Sequence, residues 1–393
     1  MGKNIYIHIP FCERKCPYCD FYSITDRSAS STYVDALIKE AEAFSKSGVR
    51  PDHNDSQDTL YIGGGTPSSI DAKDIARLVD AVKDLFRLSD DSEITIEVNP
   101  SSLTADKAAI YRDAGINRVS MGVQSLDDNV LRTLGRLHDS EGAKRAIGIL
   151  QEVFDNISCD LMSGIPGQSL DSLIRSAEEL LSFGIKHVSC YSLSLEEGTV
   201  FEKRYRDQIE DLVPPETERE MYHRVREVLA SGGLMPYEIS NSACPGYESR
   251  HNLNYWAGGN YYAFGAAAAG YLQDIRFTHP ASLSDYLMAA DEVTAEAVRE
   301  YFDKAKDKSD LIVTTDIMTE EEKIREYPFL ALRTNAGMSI ARFNELYGQD
   351  LLDVFGEAIS KNTEAGLLVR EGDRIFLTSE GFDFADKVIR DMI

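Results

Sequence analysis

Residues 5–19 read Ile-Tyr-Ile-His-Ile-Pro-Phe-Cys-Glu-Arg-Lys-Cys-Pro-Tyr-Cys. A strand-like run, 5–9, passes directly into a loop that carries Cys12, Cys16 and Cys19 in C-x3-C-x2-C spacing. Outward from it the same alternation repeats. Further β-rich runs fall at 59–62, 94–98, 118–123, 157–162 and 187–195, and helically spaced apolar residues fill 33–43, 72–86, 105–114, 142–153 and 170–183 between them. This succession predicts an α/β fold with a parallel sheet and right-handed crossovers, either doubly wound or closed partly or wholly into a barrel. Chemistry in parallel barrels sits at the carboxyl ends of the strands. Cys12, the glycines at 63–65, Asn99, Gln124 and Gly164 all follow directly after strand candidates.

After Glu210 the alternation stops. A helical stretch at 215–230 leads to a Tyr/Asn/Gly-rich segment at 237–272 and then to a charged helical pattern at 291–310 that reads as a connector. From about 316 the pattern is three helices followed by a hairpin with its turn at Glu371-Gly372-Asp373, a winged-helix-like order. The expected organisation is a β/α barrel over 1–236, a segment and connector over 237–315, and a small domain over 316–393.

The chain has 393 residues, 41 of them Lys or Arg against 66 Asp or Glu, for a formal charge of -25. Such a surface repels phosphate backbones, so no nucleic-acid partner is expected. The winged-helix-like tail is no exception, since 316–393 holds 9 Lys or Arg against 16 Asp or Glu. No run approaches the roughly 20 apolar residues of a membrane span, and no basic-then-apolar leader opens the chain, so the expected location is the cytoplasm. Six cysteines are too few for a disulfide framework, and three of them crowd into the first 19 positions, which points to metal ligation in a reducing compartment. Cys159 and Cys190 lie in apolar strand patterns and read as core residues, while Cys244 falls in a turn beside Pro245.

Three thiolates on one tight loop can hold three irons of a cubane cluster and leave the fourth iron open to a ligand. The same spacing also admits a zinc site, with His8 the nearest fourth ligand, or three cysteines with no metal at all. The residues downstream resemble the radical S-adenosylmethionine (SAM) superfamily, in which an aromatic, here Tyr18, precedes the last cysteine and a glycine-rich strand end follows, here Gly63-Gly64-Gly65-Thr66-Pro67. In that superfamily the open iron chelates SAM, and one electron from the cluster releases a deoxyadenosyl radical. Side-chain-free glycine backbone suits close approach to the methionyl group.

The likeness narrows through IEVNP (96–100), INRVSMGVQS (116–125), LGRLH (134–138), CDLMSGIPGQ (159–168) and LSLEEGT (193–199). These are similar, in order, to the oxygen-independent coproporphyrinogen oxidases and their radical SAM heme-chaperone relatives (HemW-type), over nearly the whole chain. The resemblance implies a partial β/α barrel of radical SAM type, a [4Fe-4S] cluster on Cys12, Cys16 and Cys19, and SAM contacts from Tyr6, Gly64, Gly65, Thr66, Glu97, Gln124, Arg136 and Asp160. Their chemistry suits that work: Glu97 and Asp160 accept from ammonium or ribose hydroxyl groups, Arg136 forks onto a carboxylate, and Gln124 does both.

Two branches of the family differ in reaction. The oxidases, as coproporphyrinogen dehydrogenases, decarboxylate porphyrinogen propionates and carry a further cysteine two residues after the last ligand and an N-terminal extension. Here that position is Phe21 and the first strand begins at residue 4 or 5, so the oxidase is not the expected branch. His251-Asn252-Leu253-Asn254-Tyr255-Trp256 is similar to the HNxxYW motif of the heme-chaperone branch. That resemblance implies heme as a further cofactor, with His251 as its axial ligand and flanking aromatics on the porphyrin. Where relatives read FG-x-G-A-H-S-Y, this chain has Ala269 in the histidine's place; if that histidine holds heme in relatives, His251 carries more of the ligation here. The implied partners are a heme-accepting protein, possible membrane-bound ones included, an electron donor such as a flavodoxin or ferredoxin, and a second copy in a homodimer.

Overall fold

The computed structural model describes residues 2–52, 57–304 and 309–393. Six parallel strands stand side by side in chain order: β1 (Asn4–Ile9), β2 (Thr59–Gly64), β3 (Glu93–Val98), β4 (Arg118–Gln124), β5 (Ile157–Ser163) and β6 (His187–Ser192). Helices cross between them, and each helix has a local reason to exist. In Ala72–Phe86, for example, Asp71 caps the first turn by accepting from the Lys73 amide, and Ile75, Leu78, Val79 and Val82 form the buried stripe. Full burial of each such side chain contributes about 1.5–3 kcal/mol, so a charge at Val82 would undo this helix's docking.

Strands of parallel sheets covered on both faces usually read as continuous apolar runs. These strands alternate instead. Ile5, Ile7, Leu60, Ile62, Ile94, Ile96, Val119, Met121, Cys159 and Leu161 pack into one apolar core with the helices. The residues between them, on the opposite face of the pleat, are polar and still buried: Thr59, Thr95, Arg118, Ser120, Ser158 and His187. The sheet therefore wraps a polar interior, as an open β/α barrel does. Cys159 and Cys190 are buried in the apolar core.

The region after 236 departs from its sequence reading. Short strands β7 (Met235–Pro236) and β8 (Asn241–Ala243) extend the sheet antiparallel beyond β6, and β9 (Tyr262–Phe264) adds parallel to β1 at the other edge. The nine-stranded order is β7-β8-β6-β5-β4-β3-β2-β1-β9. A boundary at 236 consequently cuts through one sheet. The expected connector is also part of the core: the helices Leu283–Glu292 and Ala295–Asp303 bury Tyr286, Val298, Tyr301 and Phe302, and Phe302 joins an aromatic nest with Phe44, Phe264 and Phe277. The part of that expected helical pattern at 305–308 lies outside the described residues.

A second sheet, β10 (Ala269–Leu272), β11 (Ile275–Thr278) and β12 (Val313–Ile317), is antiparallel. Beyond it Ile324 to Met392 gather an apolar cluster of their own. There the helices Glu320–Ala331, Ile340–Tyr347 and Leu351–Glu364 pack with β13 (Met338–Ser339), β14 (Leu368–Glu371) and β15 (Arg374–Leu377). The β14–β15 hairpin turns on Gly372 at φ 58, the left-handed backbone that a two-residue turn needs.

Candidate functional site

The cysteine loop leaves the carboxyl end of β1 and is tied at its base. The Cys12 amide donates to the Ile24 carbonyl at 2.9 Å, and the Ile24 amide donates to the Pro10 carbonyl at 2.7 Å. Phe11, fully buried against Tyr33, anchors the same turn. Farther along, the Cys19 amide donates to the Cys16 carbonyl, which tightens the second half of the spacing. All three thiols are free and line one cleft of about 770 Å³ together with Gly64, Gly65, Thr66, Glu97, Gln124, Arg136 and Asp160. Burial raises the pKa of the Cys12 and Cys19 thiols, so metal loading here is coupled to proton release.

The walls are cross-linked by hydrogen bonds. Thr66 Oγ1 accepts from Asn99 Nδ2 at 2.8 Å and lies 3.4 Å from Cys12 Sγ. Arg136 donates to Asn99 Oδ1 at 2.5 Å and the Gly122 carbonyl at 2.7 Å, and reaches Cys16 Sγ at 3.7 Å. Glu97 accepts from the Tyr61 hydroxyl at 2.8 Å and the Gly64 amide at 3.0 Å, and burial pushes its carboxyl up to about 7. Burial also raises Asp160, which accepts from Ser120 at 3.2 Å. Gln124 ends β4 at φ 67, where the β4–β5 register shifts, and accepts from the Tyr191 hydroxyl at 3.0 Å. A non-glycine residue in that region is strained, and such strain collects at functional sites.

The glycine stretch has a packing reason of its own. A Cβ on Gly64 would sit 2.5 Å from the His8 ring, and one on Gly65 would sit 2.8 Å from the Ile9 carbonyl oxygen. The missing side chains let β2 close on β1 and Glu97, and so hold the cleft's rim. Tyr6 is set apart from the other expected contacts: it does not line the cleft, and its hydroxyl pairs with His8 Nδ1 at 3.0 Å. The second His8 nitrogen, Nε2, meets the Tyr22 carbonyl at 2.9 Å. With both ring nitrogens engaged, His8 offers no fourth ligand for zinc, and among the described residues no three His, Cys, Asp or Glu converge on a single ion.

A larger cleft of about 1260 Å³ opens beside the first and shares Tyr18, Cys19, Glu97, Ser120, Asp160 and Tyr191 with it. Its far wall includes Asn252 and Trp256 from the helix Arg250–Trp256. His251, on the same helix, lines neither cleft. It is 1% exposed, its ring stacks on Tyr61 at 5.1 Å, Nδ1 is 2.6 Å from Thr59 Oγ1 and Nε2 is 2.8 Å from the Tyr255 hydroxyl. Thr59 already donates to Asn4 Oδ1, so Nδ1 carries the proton and Nε2 accepts from Tyr255. The imidazole is thus a core group with both ring nitrogens engaged by neighbouring hydroxyls. Ala269 is exposed at the start of β10, opposite Thr278. Asn99 was singled out in the sequence only by its place after a strand, and Tyr191 and Arg118, which line the larger cleft, were not singled out at all; the signal for Arg118 was a charged residue in the otherwise uncharged strand RVSMGVQ.

Comparison with known proteins matches the Radical SAM superfamily over residues 6–180 and the HemN C-terminal domain over residues 318–384. The chain is 38% identical to the heme chaperone HemW of Bacillus subtilis across 96% of both chains, and 32% identical to that of Lactococcus lactis across 98% of this chain and 96% of the other. Its fold is similar to that of coproporphyrinogen III oxidase (HemN) from Escherichia coli, with a TM-score of 0.80 at 20% identity over 100% of this chain and 90% of that one. The superfamily implies a [4Fe-4S] cluster and SAM, and the donor set fits: three thiols without a fourth ligand, beside a polar cradle of acid, amide and guanidinium groups. The sequence relatives, nearly full-length on both sides, place this chain in the HemW heme chaperone family.

Proposed function

We propose that this chain binds heme and hands it to an acceptor protein, on a scaffold that also holds a [4Fe-4S] cluster and SAM. Cys12, Cys16 and Cys19 would hold the cluster, and Gly64, Gly65, Thr66, Glu97, Gln124, Arg136 and Asp160 would hold SAM around the open iron. The bound cluster and SAM supply one-electron radical chemistry. The chain's own residues position them: Arg136 keeps a cation beside Cys16, and Asn99 links Arg136 to Thr66 across the cleft.

The observation that carries the heme reading is the larger cleft. It adjoins the cysteine loop, and Tyr18, Tyr61, Tyr191, Met162 and Trp256 give it an aromatic face suited to a flat macrocycle, while Asp20, Glu97, Asp160, Glu196 and Glu238 put carboxyl groups on the rest of the lining. Trp256 and Asn252 come from the HNxxYW-like helix, so that motif would serve heme through its wall residues, with His251 holding the helix in place. The coproporphyrinogen oxidase reading has less support: the oxidase likeness is at 20% identity, the chaperone likeness at 38%. Hemin titration by Soret absorbance tests the proposal. The wild type should bind saturably and Trp256→Ala more weakly, while turnover of coproporphyrinogen to protoporphyrinogen with SAM would overturn it.

A further inference from the structure

The first residue of β4, Arg118, is the largest of the fully buried side chains, 2% exposed, on the polar inner face of the barrel. Its backbone pairs with Thr95, which sets the guanidinium within the interior and on the lining of the larger cleft. Among the described residues its side chain makes no hydrogen bond and no ion pair, and its Nε is buried without a partner. Glu97 and Asp160 feel its charge, yet neither forms an ion pair with it. Burying a guanidinium with no bonded anion is among the most costly arrangements in a protein interior. The cost is understandable if an anion arrives with a ligand.

Arg14 and Arg136 line the cysteine cleft and Arg118 the larger one, and they are held differently. Arg136 lines the cysteine cleft and is tied to Asn99 and the Gly122 carbonyl; Arg118 lines only the larger one and is tied to nothing. The lining of the larger cleft joins an aromatic face to the carboxyl groups of Asp20, Glu97, Asp160, Glu196 and Glu238, and among the described residues Arg118 is its one cation, so a flat ligand that carries a carboxylate has a single place to put it. We propose that Arg118 is the anion-binding point of the larger cleft and receives a carboxylate of the cargo, which for heme is a propionate. This rests on the heme reading and adds the group by which the cargo is oriented.

The test compares hemin with hemin dimethyl ester, whose propionates carry no charge, on the full-length, cluster-reconstituted chain. The wild type should prefer hemin by roughly 10- to 100-fold, the range of a charge-assisted hydrogen bond in a buried site. Arg118→Gln should lose that preference while binding the ester as the wild type does, and Arg118→Lys should recover part of it. The SAM-induced change in the cluster spectrum should be the same in all three; its loss in Arg118→Gln would assign the carboxylate to SAM and overturn the proposal. Equal affinity of the wild type for hemin and ester overturns the subsite while leaving heme binding intact, and needs no variant to fold. Failure of the wild type to bind either compound overturns the cargo reading and the subsite with it.

Discussion

At the scale of single residues, His251 illustrates how a motif residue and its role separate. Its ring fills the space between Tyr61 and Tyr255 and satisfies two hydroxyls. His251→Ala leaves a cavity and two buried groups unpaired, so thermal or denaturant unfolding should show a loss of about 2–4 kcal/mol. Burial also pushes its pKa down to about 3 from the usual 6.5. The unfolded chain takes up a proton near 6.5 that the folded chain refuses until about 3, so this contribution is whole above 6.5 and shrinks as pH falls through that window. His251→Gln should therefore have a shallower acid limb than the wild type in melting temperature measured from pH 7 to pH 4. The motif HNxxYW was legible in the sequence, but which face each of its residues presents was not. That depends on Thr59 and Tyr61, which arrive from a strand far away in the chain.

Among elements, the β1–β2 junction and β4 carry the site. The glycines at 63–65 stood out in the sequence by their place after a strand, whereas their packing reason, contact with the His8 ring and the Ile9 carbonyl, comes only from the parallel register His8↔Gly63 and Ile9↔Gly64. Gly64→Ala meets both a φ of 108 and that ring, and should cost more than about 1 kcal/mol. It should also weaken the SAM-induced change in the cluster spectrum, because the Gly64 amide holds the Glu97 carboxylate. β4 was legible as a strand, but the alternation that turns Arg118, Ser120 and Gln124 inward acquires meaning only when the sheet curves around an interior.

For the whole molecule, the first six β/α units were readable because each strand and helix is long enough to show its own period. The closing strand β9 is three residues long, too short to show a period, and its partner is β1 at the opposite end of the sequence. The same holds for the segment 283–303, whose charged surface reads as a connector while Tyr286, Tyr301 and Phe302 are buried against the first helix, Ser30–Ser47. Among the contacts of the C-terminal cluster with the barrel is a latch on the mostly buried Asp383 carboxylate: Asp383 accepts from Arg219 and from His223 Nε2, the latter at 2.8 Å, and nearby the Ile239 amide donates to the Arg333 carbonyl at 2.9 Å. Asp383→Asn weakens that latch, so hydrogen exchange should rise in the helix Ser379–Asp383 and in Pro215–Ser231 while the central strands keep their protection.

Heme binding by a radical SAM barrel is tested most directly by titrating hemin into the cluster-reconstituted wild-type chain and following the Soret band. A saturable, stoichiometric shift that Trp256→Ala weakens and His251→Gln leaves nearly unchanged is the expected result. A linear, unsaturable rise identical in the wild type and Trp256→Ala would contradict it.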